Sequence, residues 1–187
     1  MIGQRILRII YKKRPNPNSI LYRETVDHIR DIDSDTLDLG GGPGYLHLFI
    51  KEKCYYVVQD IDFKVLSYGD HLIDKVLAPA EEKIFRDNTF NYIIIHDALH
   101  HFQDIDQVFK SIYGISKKYI LIFEVELGNL IGKFIKYLEI LLGFPGNFYS
   151  SKELIRMVQD SKLGSISEVI KTGRFRYLIK VDTQPQS

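Results

Sequence analysis

The residues of this chain whose types and spacing suit chemistry are a run of glycines, two acids bracketing it and a cluster of histidines. Asp38 stands two positions before Gly40 in LDLGGGPG, residues 37–44, and Gly41, Gly42 and Gly44 complete the run. Such a turn lets backbone approach a ligand with no Cβ in the way. A carboxylate beside it offers charge-assisted acceptors to a cation. Asp60 follows twenty residues after Gly40, where a nucleotide-binding sheet places an acid that accepts from both hydroxyls of a ribose. Farther on, HDALHH brings together His96, Asp97, His100 and His101. An imidazole is partly neutral near pH 7 and can accept a proton there. The i, i+4 spacing of His96 and His100 suits a metal-binding helix, but His96 ends an expected strand and no Glu lies between them, so no metal set is expected.

Other chemistries fail on spacing. A nicotinamide fingerprint needs a third glycine where Tyr45 or His47 stands, and no Gly-Lys-Ser/Thr follows to make a phosphate loop. Cys54 is the single cysteine, which rules out an internal disulfide and a zinc knuckle. Lys and Arg total 25 against 24 Asp and Glu, a balance with no broad field to hold nucleic acid. No apolar run reaches the roughly 20 residues of a membrane span. Arg5 and Arg8 interrupt the apolar start, so no secretory signal is expected and a cytoplasmic setting is. That start reads as a helix packed over the domain; a basic helix lying on a membrane surface is the less favoured reading.

The elements that must position these residues alternate. Strands are expected at Thr36–Leu39, Tyr55–Gln59, Ile73–Leu77, Asn91–Ile95 and Tyr119–Val125, with closing strands at Ser167–Ile170 and Phe175–Val181. Helical periodicity falls at Leu21–Ile32, after the glycine turn to Phe49, at Phe63–Tyr68, Ile105–Ile115 and Ser151–Gln159. Continuous apolar strands between helices indicate a doubly wound, Rossmann-like α/β sheet, mostly parallel and seven-stranded, with an antiparallel last strand and helices on both faces. One domain over residues 1–187 is expected, with an N-terminal helical segment at about 1–34 and a lid-like helical insertion at about 126–147.

At the Asp-x-Gly-x-Gly-x-Gly spacing of Asp38, Gly40, Gly42 and Gly44 the chain resembles the class I S-adenosylmethionine (SAM)-dependent methyltransferases. DIDFKVL, residues 60–66, is similar to that family's second block, with Asp62 and Phe63 where Ser and Pro are usual. Residues 84–104, IFRDNTFNYIIIHDALHHFQD, resemble its third block through Phe85, Asp87, Asn88, Thr89, Phe90 and the Leu-His-His, a form of the branch holding ubiquinone and menaquinone C-methyltransferases. Pro79 replaces the family's adenine-reading Asp, and Ser116-Lys117-Lys118 replaces its Pro-Gly-Gly.

The resemblance implies SAM as cofactor, held at its methionyl end by Asp38, Gly40, Gly41, Gly42 and Gly44 with His96 and Asp97. It implies ribose contacts from Asp60, adenine contacts from the Ala80 and Glu81 backbone or the Glu81 side chain, and a cofactor contact from Ile61. His100, with His101, is the candidate base or substrate orienter. The implied function is in-line methyl transfer to a small apolar or aromatic molecule beneath the 126–147 segment, where Leu130, Phe134, Tyr137, Leu138 and Leu141 recur at helical spacing. The alternative is a SAM-binding partner or sensor without catalysis; an RNA or protein methyltransferase ranks lower. A core helix or a dimer face competes with the lid for residues 126–147, and the chain is expected to be a monomer or homodimer.

Overall fold

Seven strands form one sheet in the order β3-β2-β1-β4-β5-β7-β6. In this computed structural model the described residues are 11–12, 15–16, 22–52, 54–127, 133–134, 137, 140–141, 146–173 and 176–184. The strands are β1 Thr36–Leu39, β2 Tyr56–Asp60, β3 Asp74–Leu77, β4 Phe90–His96, β5 Ser116–Val125, β6 Ser165–Ile170 and β7 Arg176–Asp182. The first five run parallel, and β7 is antiparallel to both β5 and β6. The last two strands form an antiparallel pair at one edge of the sheet, as the sequence pattern suggests. Within that pair β7 slots between β5 and β6, because Tyr177, Leu178, Ile179 and Val181 are apolar on both faces and need cover on both, whereas β6 has no fully buried residue and tolerates the edge.

The central strands explain the two cores. Ile93, Ile94 and Ile95 of β4 are all fully buried, so consecutive side chains enter opposite faces. On one face they pack with α3 Ile105–Ile112 and α4 Ser151–Asp160 through Val108, Phe109, Ile112, Leu154 and Val158. On the other they meet α1 Arg23–Ile29, the 3-10 turn Tyr45–Phe49 and α2 Phe63–Leu66 through Ile29, Leu46 and Leu66. Asp62 caps α2 with its side chain accepting from Lys64 and Val65 amides, as its position before Phe63 suggests, and Ser150 and Glu153 form a reciprocal capping box on α4.

The element after the glycine turn departs from expectation. Residues 45–49 form a 3-10 turn rather than an α-helix, and His47 is held inward with Nδ1 2.7 Å from the Gly44 carbonyl. The predicted N-terminal helix lies outside the described residues up to position 10, although Tyr11 is helical. In the 126–147 segment, Leu130 and Leu138 are likewise outside them. The described Lys133, Phe134, Tyr137, Ile140 and Leu141 are helical and exposed, so these side chains are not part of the core. No helix among the described residues is long and apolar enough to cross a membrane.

Candidate functional site

Parallel strands deliver their carboxyl ends to one edge, and the sequence-predicted residues gather there. β1 ends at Leu39 and the chain reverses through Gly40, Gly42 and Gly44 at φ of 70°, 58° and 72°, a region that costs an L-residue energy and glycine none. Gly41 is needed for a different reason. A Cβ there would lie 2.2 Å from the Asp38 carboxyl carbon, so the turn closes directly onto the acid. A Cβ on Gly40 would sit 2.8 Å from that of Ala98, which fixes the turn against the loop after β4.

Asp38 is fully buried. Its Oδ2 accepts from the Tyr56 hydroxyl at 2.6 Å, while Oδ1 has no hydrogen-bond partner among the described residues. Burial raises its pKa first, the Tyr56 hydrogen bond opposes, and the charge of Asp60 adds, leaving the carboxyl pushed up to about 7. Asp60 faces the turn from β2. Its Oδ2 accepts from the Gly42 amide at 2.9 Å and its Oδ1 from the Asp62 amide at 2.8 Å. Burial also raises Asp60, although those amides pull the other way. The site thus sets a buried, partnerless carboxylate oxygen beside a backbone crook, with a second carboxylate across it.

The flanking candidates lie at the ends of β2 and β3. Ile61 is exposed at the end of β2. The Ala80 carbonyl already accepts from the Ser111 hydroxyl at 2.6 Å, and Glu81 Oε1 from the Gln103 amide at 3.1 Å. The Glu81 carboxylate therefore braces the loop before α3, which leaves the backbone amides of this stretch as its better ligand-binding groups. The Gln59 side chain donates to the Pro79 carbonyl at 2.8 Å, tying down the position where the acid is missing.

At the end of β4, the His96 Nε2 lies 2.8 Å from the Thr25 hydroxyl of α1, and its ring stacks on Tyr22 with centroids 6.0 Å apart. Burial lowers its pKa. Asp97 takes φ 47° and is gripped by Arg176 of β7, whose Nε lies 3.1 Å from both carboxylate oxygens and whose Nη2 lies 2.5 Å from Oδ2. Burial would raise the Asp97 carboxyl, but the charges of His96 and Arg176 outweigh it and hold it down to about 2.

His100 and His101 lie on the 3-10 turn Leu99–His101 with rings 4.1 Å apart. They are not equivalent. His101 is exposed, whereas His100 is buried, with Nδ1 2.7 Å from Glu124 Oε2 and its ring stacked on Phe148 at 4.6 Å. That contrast favours His100 as the positioned group.

Four residues of this edge escape the sequence reading: Tyr11, Tyr56, Glu124 and Arg176. Tyr11 packs over the turn, 3.5 Å from where a Cβ on Gly42 would stand, and its carbonyl accepts from the Tyr45 hydroxyl at 2.6 Å. Burial pushes its phenol pKa up, and the charges of Asp60, Asp97 and Asp38 add to this. The available signal for Glu124 and Arg176 was a charge inside or at the mouth of an apolar strand, in LIFEV and FRYLIKV. A separate groove of about 290 Å³ lies between α1 and the β5–β7 face, lined by Asp27, His28, Tyr92, Tyr119 and Lys180, and includes none of the site residues. No set of three or more candidate metal ligands converges among the described residues.

Residues 37–121 match the family described as methyltransferase domain. A SAM-dependent methyltransferase from Aquifex aeolicus superposes with a TM-score of 0.72 at 13% identity, covering 98% of this chain and 100% of that one. The PH0226 protein from Pyrococcus horikoshii OT3 superposes with a TM-score of 0.70 at 17% identity, covering 96% and 99%. At such identity the superpositions speak for the fold. No curated protein matches the sequence.

Proposed function

We propose that this chain is a class I, SAM-dependent methyltransferase that methylates a small, apolar or aromatic acceptor, with SAM held across the glycine turn; the methyltransferase-domain match over residues 37–121 and the fold support the reading. The observation that carries the reading is Asp38: a buried carboxylate with one oxygen partnerless among the described residues, directly under a turn that only glycine can make. An isolated buried acid is costly, and a cationic ligand removes that cost. The methionyl ammonium of SAM is such a cation, so the residues present fit the cofactor.

Asp38 holds the ammonium end, with Gly40, Gly41, Gly42 and Gly44 against it. Asp60 accepts from the ribose hydroxyls while keeping its amide contacts, since each carboxylate oxygen has a second lone pair. Ile61 covers one adenine face, and the Ala80 and Glu81 amides supply the edge. Asp97, fixed by Arg176, and His96, fixed by Thr25, close the methionyl side. Bound SAM supplies an activated methyl on a sulfonium. The protein's part is to align the acceptor in line with it and exclude water, and His100 orients the acceptor or takes its proton. The exposed apolar residues Phe134, Tyr137, Ile140 and Leu141 support an apolar acceptor beneath the 126–147 segment.

Calorimetric titration with S-adenosylhomocysteine tests the cofactor assignment. The wild type is expected to bind and an Asp38→Ala, Asp60→Ala double variant to lose binding; unchanged affinity in a folded double variant would overturn it. Incubation with methyl-labelled SAM and small-molecule cell extract then identifies the acceptor by the mass of the labelled product.

A further inference from the structure

We propose that Glu124 is a positioning residue that fixes His100 with its proton on Nδ1, making Nε2 the proton-accepting atom, and hence that the acceptor is one that must lose a proton on methylation. This rests on the reading above that His100 serves the acceptor. Glu124 lies on β5, next to β4, and both it and His100 are almost completely buried. Its two oxygens are divided between two tasks. Oε1 accepts from the Leu99 amide at 2.8 Å and the His100 amide at 3.4 Å, which holds the 3-10 turn against the sheet. Oε2 faces His100 Nδ1 at 2.7 Å. A carboxylate has only lone pairs to offer, so Nδ1 must donate, and in the neutral ring Nε2 is then the acceptor.

The residue is held from a further side, at both ring and backbone. Phe148 stacks on it at 17° between planes, the Asn147 amide donates to the His100 carbonyl at 2.7 Å, and a Cβ on Gly146 would stand 2.9 Å from that carbonyl. A side chain held by three elements has one tautomer and one orientation, which is what proton transfer needs and packing alone does not. Other titratable groups face this pair: Asp97 senses His100 from the end of β4, His96 of β4 and Arg176 of β7 sense Glu124, Arg176 being engaged by Asp97, His101 adjoins on the same turn, and the Tyr177 phenol of β7 also senses Glu124. Glu124 itself reaches Nδ1 of His100 directly.

The balance of the step defines the acceptor class. An O–H or N–H proton passes to His100 Nε2, the acceptor's electron pair forms the bond to the methyl carbon, and the S–CH3 pair stays on sulfur. One positive charge leaves sulfur and one appears on the imidazolium, where Glu124 neutralises it. A phenolic or enolic hydroxyl, or an ammonium that must first shed its proton, gains from this arrangement; a thioether or tertiary amine does not.

The test compares the wild type with Glu124→Gln, in the full chain with S-adenosylhomocysteine bound. In the variant the Gln oxygen is claimed by the Leu99 and His100 amides, so its NH2 group faces Nδ1 and the tautomer should switch to Nε2–H. 15N NMR of the His100 ring should show protonated Nδ1 in the wild type, protonated Nε2 in the variant, and a proton affinity lowered about tenfold or more by loss of the carboxylate. Methyl transfer to the labelled product should fall at least tenfold, with its pH–rate profile displaced with the His100 titration, while the melting temperature and S-adenosylhomocysteine affinity change little. An unchanged tautomer and titration, or an altered titration with an unaltered rate and profile, would overturn the proposal. Failure of the wild type to bind S-adenosylhomocysteine strikes instead at the cofactor assignment, and the NMR comparison, repeated without ligand, still decides the role of Glu124.

Discussion

The raised pKa of Asp38 makes cofactor affinity depend on pH in a calculable way. Burial, opposed by the Tyr56 hydrogen bond and helped by Asp60, lifts the carboxyl from 3.8 to about 7. Only the ionised form attracts an ammonium, so the competent fraction is about one half at pH 7 and about one eleventh at pH 6, and affinity should fall about fivefold across that unit. Binding at pH 7 should also release about half a proton, because the ammonium holds the bound carboxylate ionised. The window must stay below pH 7.5, since an α-amino group itself titrates at about 8. Calorimetry with S-adenosylhomocysteine at pH 6.0, 6.5 and 7.0, in two buffers of different ionisation enthalpy, reads both quantities. Asp38→Asn should bind weakly and lose this pH dependence; whatever slope it keeps belongs to Asp60, whose carboxyl burial also raises.

Stability provides the same lever without ligand. The folded pKa of Asp38 lies above the unfolded one, so its contribution is fully present below pH 3.8 and is lost as pH rises toward about 7. A shift of this size corresponds to at most about 4 kcal/mol. In the Asp38→Asn variant the side-chain oxygen can still accept from Tyr56, but the amide group takes the partnerless place at about 1–3 kcal/mol. The variant should therefore gain urea resistance relative to wild type on going from pH 5 to pH 8. Parallel pH profiles for both proteins, together with a proton count near zero on binding, would refute the reasoning.

Three further outcomes follow from neighbouring contacts. Gly41→Ala puts a Cβ 2.2 Å from the Asp38 carboxyl carbon, so the acid must move; S-adenosylhomocysteine affinity should drop at least tenfold, and the melting temperature should fall, as measured by calorimetry on the folded variant. Arg176→Met leaves the half-buried Asp97 without its ion pair, a loss of about 1–3 kcal/mol at pH 7 in urea unfolding, below the full cost of breaking a buried pair. Because the Asp97 carboxyl is depressed to about 2, its stabilisation is present above pH 3.8 and lost as pH falls toward 2, so the difference between variant and wild type should shrink at pH 3. Tyr56→Phe removes the one hydrogen bond that lowers Asp38; affinity at pH 7 should weaken while its pH dependence moves to higher pH, as followed by the same titrations.

How much of this was legible in the sequence depends on how far apart the partners lie. The glycine turn announces itself because four glycines within five positions have a local cause: the chain must reverse over Asp38 with no Cβ at Gly41. The strands of the parallel sheet are equally local, since Ile93, Ile94 and Ile95 can only be covered on both faces at once. Asp62 as a cap is visible for the same reason. By contrast, the Asp97–Arg176 clamp joins residues 79 positions apart, and Glu124 reaches back 24 positions to His100. Neither propensity nor periodicity records such a pairing. What the sequence does carry is its cost: a charge placed in LIFEV or FRYLIKV has to find a partner once the strand is buried. In a parallel sheet the carboxyl ends of β1, β2, β4 and β5 converge on one edge, so a charge at the end of such a strand has its partner at that edge. Glu124 at the end of β5 meets His100 there, and Arg176, opening the antiparallel β7 opposite Val125, meets Asp97. The topology thereby turns an unexplained strand charge into a site prediction, and it is this step, from a buried charge to the edge where strands end, that the local reading lacked.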